Sequence, residues 1–287
     1  MLQQTRVAVV RHRYASFLKK FPTAKRLAAA HEHTVLAEWS GLGYYRRARS
    51  LRSAAQQVVR RRGFPQSAAE LIDLPGVGRY TAAAVASIAF GEPVAVVDGN
   101  VKRVLTRVLG RALSEDECWR AAERLLDRKS PGDFNQAMME LGATVCHPQE
   151  PACDICPVAS LCVKRGAGAR PDRVSRRKAE LRYTLARRND RVLLRKRAPD
   201  SRLMPGMWEL PERPGRTTRE KPILQLRHSI TTTDYSVMVF PEDRVASSKG
   251  RWVAWRSAEK LALTGLARKI LRKIAADGGR SSARAGR

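Results

Sequence analysis

The sequence predicts a mainly α-helical N-terminal region followed by a small α+β domain. Three observations carry that expectation. Through residue 145, apolar residues recur at helical spacing in short runs separated by joints of a few residues, the pattern of an all-α domain. Four of the five cysteines then crowd into 146–162. After a basic stretch over 163–180 the hydrophobic period changes to that of strands. The division is therefore 1–145 helical, 146–162 cysteine loop, 163–180 basic linker, 181–275 α+β and 276–287 a Gly/Ser/Arg-rich tail expected to be disordered from about Ala275. There is no internal repeat.

Leu2 to Lys20 reads as a helix with Val7, Val10, Tyr14, Phe17 and Leu18 on its apolar side. Phe21-Pro22-Thr23 stops it, and Thr23 can cap the next helix. A third helical piece runs to Trp39. Ser40-Gly41-Leu42-Gly43 is a loop, Tyr44 to Arg62 a basic helix, and Gly63-Phe64-Pro65 a break before a short helix. Arg79 to Phe90 is an Ala-rich helix, and Asn100 can cap the helix from Val101. Ser114 with Glu117 is a capping-box signal for a helix through Asp127. Ser130-Pro131-Gly132 separates it from Asp133 to Val145. In the second domain Leu181 to Ala186 and Val192 to Lys196 flank the turn signal Asn189-Asp190. Tyr235 to Phe240 and Trp252 to Trp255 read as strands, and Ala258 to Ile274 as a closing helix.

Lys and Arg number 55 against 27 Asp and Glu, a net charge of +28. Solubility needs far less, so a polyanionic partner is expected, DNA or RNA first and a membrane surface second. No apolar run approaches the roughly 20 residues of a spanning helix. Met1-Leu2-Gln3-Gln4-Thr5 lacks the features of a signal peptide. That predicts a cytoplasm of the bacterial type, or at least an intracellular protein; the tightly clustered cysteines argue for a metal or cluster site rather than disulfides. Cys118 stands apart on a helix and reads as a buried small residue.

The chemistry centres on Leu74-Pro75-Gly76-Val77-Gly78-Arg79-Tyr80-Thr81. Pro75 fixes φ before the turn; Gly76 and Gly78 can take φ > 0 or admit another backbone. Exposed N–H groups at such a helix start suit a phosphate. Alone, the stretch reads as an ordinary helix–helix turn. Asp98, 17 residues after Thr81, stands just ahead of another helix. Cys146-x6-Cys153-x2-Cys156-x5-Cys162 can enclose one compact inorganic centre. Spacing alone leaves a four-thiolate zinc and an iron–sulfur cluster open.

Hairpin, downstream Asp and cysteine loop together resemble the helix-hairpin-helix DNA glycosylase superfamily. The remaining motifs resemble its MutY-type adenine DNA glycosylases, strongly over residues 1–165 and weakly over 180–275. The resemblance implies a helix-hairpin-helix glycosylase domain and a [4Fe–4S] cluster on Cys146, Cys153, Cys156 and Cys162, structural or redox-sensing rather than hydrolytic. It also implies a small Nudix-like C-terminal domain. The substrate would be double-stranded DNA holding adenine opposite 8-oxoguanine or guanine, acted on by a monomer in base excision repair.

Residue by residue, the resemblance gives Asp98 the role of stabilising the sugar cation that forms as the N-glycosidic bond breaks. Asn100 hydrogen-bonds beside it, and Gly76 and Gly78 approach the DNA backbone. Tyr80 stands where bifunctional relatives carry the lysine that forms a Schiff base; a phenol cannot, so a monofunctional enzyme is expected. Gln3 and Gln4 match the wedge that fills the duplex where adenine is flipped out, and Thr5 beside them is expected to bind DNA. Leu42 and Tyr44, from Gly41-Leu42-Gly43-Tyr44-Tyr45, match residues that press on 8-oxoguanine. Glu140, in Phe134-Asn135-Gln136-Ala137-Met138-Met139-Glu140-Leu141-Gly142, matches a group facing the adenine pocket.

The second domain's resemblance rests on Pro205-Gly206-Met207-Trp208-Glu209-Leu210-Pro211. It has no pyrophosphatase box, so no nucleotide hydrolysis is expected. Where the family has Phe-Ser-His, the chain reads Ile230-Thr231-Thr232, with Thr231 at the Ser position. The family's general acid, which protonates adenine, would lie two positions before Met1; Glu32 and Glu38 match no such position. The expectation is a start site further upstream. The rivals are an inactive DNA-binding homologue and a glycosylase/lyase of the endonuclease III type.

Overall fold

The computed structural model describes residues 1–284 other than 4, 6, 166–175, 202, 215–219, 231 and 243–249. In chain order it has α1 (Val7–Lys20), α2 (Ala24–Ala29), α3 (Glu32–Glu38), α4 (Arg46–Arg60), α5 (Ala68–Leu71), α6 (Arg79–Phe90), α7 (Gly99–Val108), α8 (Glu115–Leu125) and α9 (Pro131–Glu140). A π-helical turn (Leu141–Val145) and two 3-10 turns (Cys153–Ile155, Ala159–Leu161) follow. Then come β1 (Arg177–Arg188), β2 (Arg191–Lys196), β3 (Trp208–Glu209), β4 (Leu224–Ile230), β5 (Thr233–Glu242), β6 (Arg251–Ala254), α10 (Trp255–Ala258) and α11 (Gly265–Arg284). Contacts form two units, Gln57–Val174 and Met1–Gln56 joined with Ser175–Arg287. The division by chain order follows composition; contact joins segments far apart in sequence.

The 57–174 unit is helical. Ser67 and Glu70 form a capping box on α5, and Ser114 and Glu117 form the expected one on α8. Ala95, Val101, Leu105, Leu113, Cys118, Ala121 and Ala122 make one core, and Ala83, Val96 and Trp119 a second. Cys118 is fully buried, as expected. Burying each large aliphatic of α7 contributes about 1.5–3 kcal/mol.

In the other unit the sheet runs β3-β2-β1-β5-β4, with β6 also pairing β2. Asn189, at φ 52°, turns β1 into β2, and β1 lies parallel to β5 with Leu181 opposite Val237. Leu266, Ala267, Ile270 and Leu271 of α11 pack on Val192, Leu194, Val237 and Val239. A second core gathers Val10, Phe17, Phe21, Leu27, Val35, Leu36, Trp39 and Leu42 with Met207 and Ala262.

Several expectations are corrected. The first helix starts at Val7, not Leu2, because Arg47 takes the carbonyls of Met1 (3.0 Å) and Gln3 outside any helix. Only Val10 and Phe17 of its apolar set are buried; Val7, Tyr14 and Leu18 are exposed. Asp98, not Asn100, caps α7. Pro131 opens α9 from its first turn, and the last turn of that helix is π. The closing helix is two, because the backbone at Ala262 and Thr264 bonds Trp208 instead (2.9 Å each). The tail expected to be disordered is helical to Arg284.

Candidate active site

Asp98 is positioned by what precedes it. The segment before it is extended, so its amides need partners beyond a helix or sheet. Buried Asn135 accepts from Val96 N (3.0 Å) and donates to Val94 O (2.9 Å) and Ser87 Oγ (3.0 Å); Glu123 accepts from Ala95 N (3.1 Å). Asp98, in extended conformation, then accepts from Val101 N through Oδ1 (2.8 Å). Its Oδ2 accepts from Asn100 Nδ2 (3.0 Å). The half-buried carboxylate is thereby fixed by a helix start and an amide, with lone pairs left on both oxygens.

The hairpin behaves as its glycines suggest. Val77 N closes a turn on Leu74 O (3.0 Å), and Gly76 takes φ +78°. Gly78 is extended, and a Cβ there would meet nothing within 4 Å, so its place is an open approach to the backbone. No side chain caps α6, whose N-terminus thus keeps an anion-ready amide turn. Tyr80 donates to Met139 Sδ (3.5 Å). Burial, then the Asp98 charge, raises its phenol above the usual range, so it is a neutral O–H donor at neutral pH. Glu140 is exposed at the end of α9, and the backbone after it passes directly over Asn100: Gly142 leaves no room for a side chain there.

Cys146, Cys153, Cys156 and Cys162 all line one small cavity, together with Val104, Val108, Leu141, Val145 and Arg107. Among the described residues no three His, Cys, Asp or Glu side chains converge tightly enough for a single metal ion. Arg107, 7% exposed, donates to Cys146 Sγ (3.1 Å), His147 O (2.7 Å) and Pro148 O (2.8 Å). Arg103 donates to Asn100 Oδ1 (2.9 Å), Gly142 O (2.5 Å) and Cys146 O (2.8 Å). The end of the loop docks on α7 through Val163 N to Val108 O (3.2 Å) and Lys164 N to Arg107 O (3.1 Å). Sequence reasoning missed Arg103, Arg107 and Asn135. The signal was available for the first two: Asn100, Arg103 and Arg107 share one helical face.

The other expected residues lie in the other unit. Gln4 and Thr231 fall outside the described residues. Gln3 and Thr5 are tied down by Arg47, which donates to Thr5 Oγ1 (2.8 Å) and Leu42 O (3.2 Å) and lies over the Trp39 and Tyr44 rings. Leu42 was expected to press on a base; its side chain is 3% exposed in the core, held there by the turn of Gly41 and Gly43. Tyr44 projects, 52% exposed at φ 45°.

A carboxylate-capped helix thus stands behind an open glycine hairpin, with four cysteines closing the same helical unit. Residues 1–128 match the model of the HhH-GPD superfamily base excision DNA repair protein. The chain is 52% identical over 176 residues to the adenine DNA glycosylase of Homo sapiens, covering 58% of this chain and 32% of that one. Against the adenine DNA glycosylase of Buchnera aphidicola (Baizongia pistaciae) it is 39% identical over 168 residues, covering 56% and 48%. A thermostable thymine-DNA glycosylase structure superposes with a TM-score of 0.54 at 30% identity, covering 57% of this chain and 79% of that one. A trapped endonuclease III–DNA intermediate gives 0.52 at 27%, covering 57% and 79%. The chain belongs to the helix-hairpin-helix glycosylase superfamily, and the curated proteins it matches are adenine DNA glycosylases. It spans about a third to a half of the length of the curated relatives it matches. Among the described residues no helix is long and apolar enough to cross a membrane.

Proposed function

We propose that the protein is a monofunctional DNA glycosylase of base excision repair that hydrolyses the N-glycosidic bond of adenine opposite 8-oxoguanine or guanine. The carrying observation is Asp98, held by Val101 N and Asn100 Nδ2 with the neutral Tyr80 phenol beside it. As adenine leaves, positive charge grows on the sugar, and a preorganised carboxylate stabilises it with no reorganisation at that moment. Water completes the hydrolysis. Tyr80 supplies no amine, so the phosphodiester stays intact.

The backbone at Gly76 and Gly78 would receive a DNA phosphate. Gln3 and Gln4 would fill the gap left by the extruded base, Tyr44 would touch its partner, and Glu140 would face the adenine. The 181–275 sheet domain would read 8-oxoguanine in a Nudix-like way without hydrolysing nucleotides. The four cysteines would hold a [4Fe–4S] cluster. Their lining one cavity supports a single centre shared by all four. When bound, such a cluster supplies a rigid loop and one-electron chemistry, not hydrolysis. The reading places a monomer on the DNA of a bacterial-type cytoplasm.

The test incubates the protein with a duplex holding adenine opposite 8-oxoguanine. Abasic sites should form, strand breaks should need alkali, and Asp98→Asn should abolish both. Breakage without alkali would favour a lyase; no base release would favour a DNA-binding homologue.

A further inference from the structure

Arg268 is a buried cation whose partners are all neutral. It is 7% exposed, and its fork donates to Ser40 Oγ (2.9 Å), Glu259 O (3.0 Å) and Leu261 O (3.2 Å). It also stands in the first turns of α11, where the helix dipole disfavours a cation. Burying a charge among neutral hydrogen-bond partners is costly, so the arrangement needs a gain elsewhere. Ser40 is that link. It is fully buried, accepts from Arg268 and donates to Leu263 O (3.2 Å), which uses both capacities of its hydroxyl.

Ser40 opens the loop that carries Tyr44. Gly41, Gly43 and Tyr44 all take positive φ, at 99°, 69° and 45°. Tyrosine at such an angle is strained and persists only where its surroundings hold it. Gly41 N donates to Tyr45 Oη (3.4 Å), which donates to Leu263 O (3.5 Å); Trp39 Nε1 donates to Gly43 O (3.1 Å). Leu42 packs in a cluster with Met207 and Ala262. The floor of the loop is thus built from residues more than 160 positions later in the chain.

We propose that Arg268 is a positioning residue for specificity: through Ser40 it fixes the Gly41–Tyr44 loop, so the C-terminal domain governs discrimination of the base opposite adenine through this loop. The inference rests on Tyr44 reading that base, as proposed above. Arg268 touches no DNA in this scheme.

The test measures affinity of the full chain for duplexes with adenine opposite 8-oxoguanine or guanine, and for plain duplex. The discrimination ratio should fall about three- to tenfold in Arg268→Lys and in Ser40→Ala, the range of a mutation that modulates coupling. Plain-duplex affinity should hold. Arg268→Lys combined with Tyr44→Ala should lose no more than Tyr44→Ala alone. Leu226→Ala, which destabilises the sheet core away from the loop, should melt lower but keep its ratio. Ser40→Ala removes one hydroxyl, so it keeps the test alive if Arg268→Lys fails to fold. A ratio lost in Tyr44→Ala but retained in Ser40→Ala and Arg268→Lys overturns the inference and spares the functional reading. An equal loss in Leu226→Ala overturns it as a merely structural effect. An unchanged ratio in Tyr44→Ala overturns the loop's part in the functional reading itself.

Discussion

Gly142→Ala pits helix propensity against packing at the candidate site. Gly142 does not sit in the left-handed region, so its backbone accepts alanine, and inside a helix alanine is favoured by about 1 kcal/mol. Its Cβ, however, would lie 2.5 Å from Asn100 Cβ and 2.9 Å from Asn100 Cα and C. These are mostly backbone atoms, which cannot rotate away. Overpacking costs about 1–3 kcal/mol. Separating the turn from α7 also stretches the bond from Arg103 Nη2 to Gly142 O, and a hydrogen bond from a charged donor is worth about 1.5–3 kcal/mol. The balance is a loss of about 2–3 kcal/mol in the 57–174 unit. Urea unfolding followed by circular dichroism should show a lower midpoint at unchanged slope. Below its midpoint Gly142→Ala should also slow base release by displacing Asn100. A midpoint unchanged or raised in Gly142→Ala would refute the packing argument.

Three further outcomes are expected. Protein purified without air should be brown, with about four irons and four labile sulfides per chain; zinc alone would end the cluster reading. Glu117 is held at about 2 by Ser114 N, then by Arg111 and Ser114 Oγ. Its folded value lies below the ordinary 4.5, so its stabilisation is complete above about 4.5 and lost as pH falls toward 2. The melting gap between wild type and Glu117→Gln should close over that window, and a gap constant with pH would contradict it. Arg47→Met should release the Met1–Thr5 segment to proteolysis and weaken mismatch binding about tenfold more than plain-duplex binding; an unaltered cleavage pattern would show that the segment is held otherwise.

Much of the helical region was legible. α6 matches its expected span, and the Ser114–Glu117 capping box announced α8, because such signals act within one turn of chain. The misses lie where distant residues compete for the backbone. Arg47 claims the carbonyls before Val7, and Trp208 claims those that split α10 from α11. Neither competitor is near its target in sequence. Leu42 shows the same limit at the site: its motif marked it, but Met207 and Ala262 draw its side chain inward.

By itself the sequence determined the family, the charge that suits a polyanion, the hairpin, the carboxylate after it and the cysteine spacing, because these are local patterns of residue type. Tertiary structure decided that Asp98 rather than Asn100 caps α7, and that Arg103 links Asn100 to the cysteine loop. It also decided that a buried arginine from α11 holds the loop of Tyr44. Each depends on a hydrogen-bonding group finding its partner across the fold, and a buried polar group must find one somewhere; which one it finds is set by the packing of the chain around it.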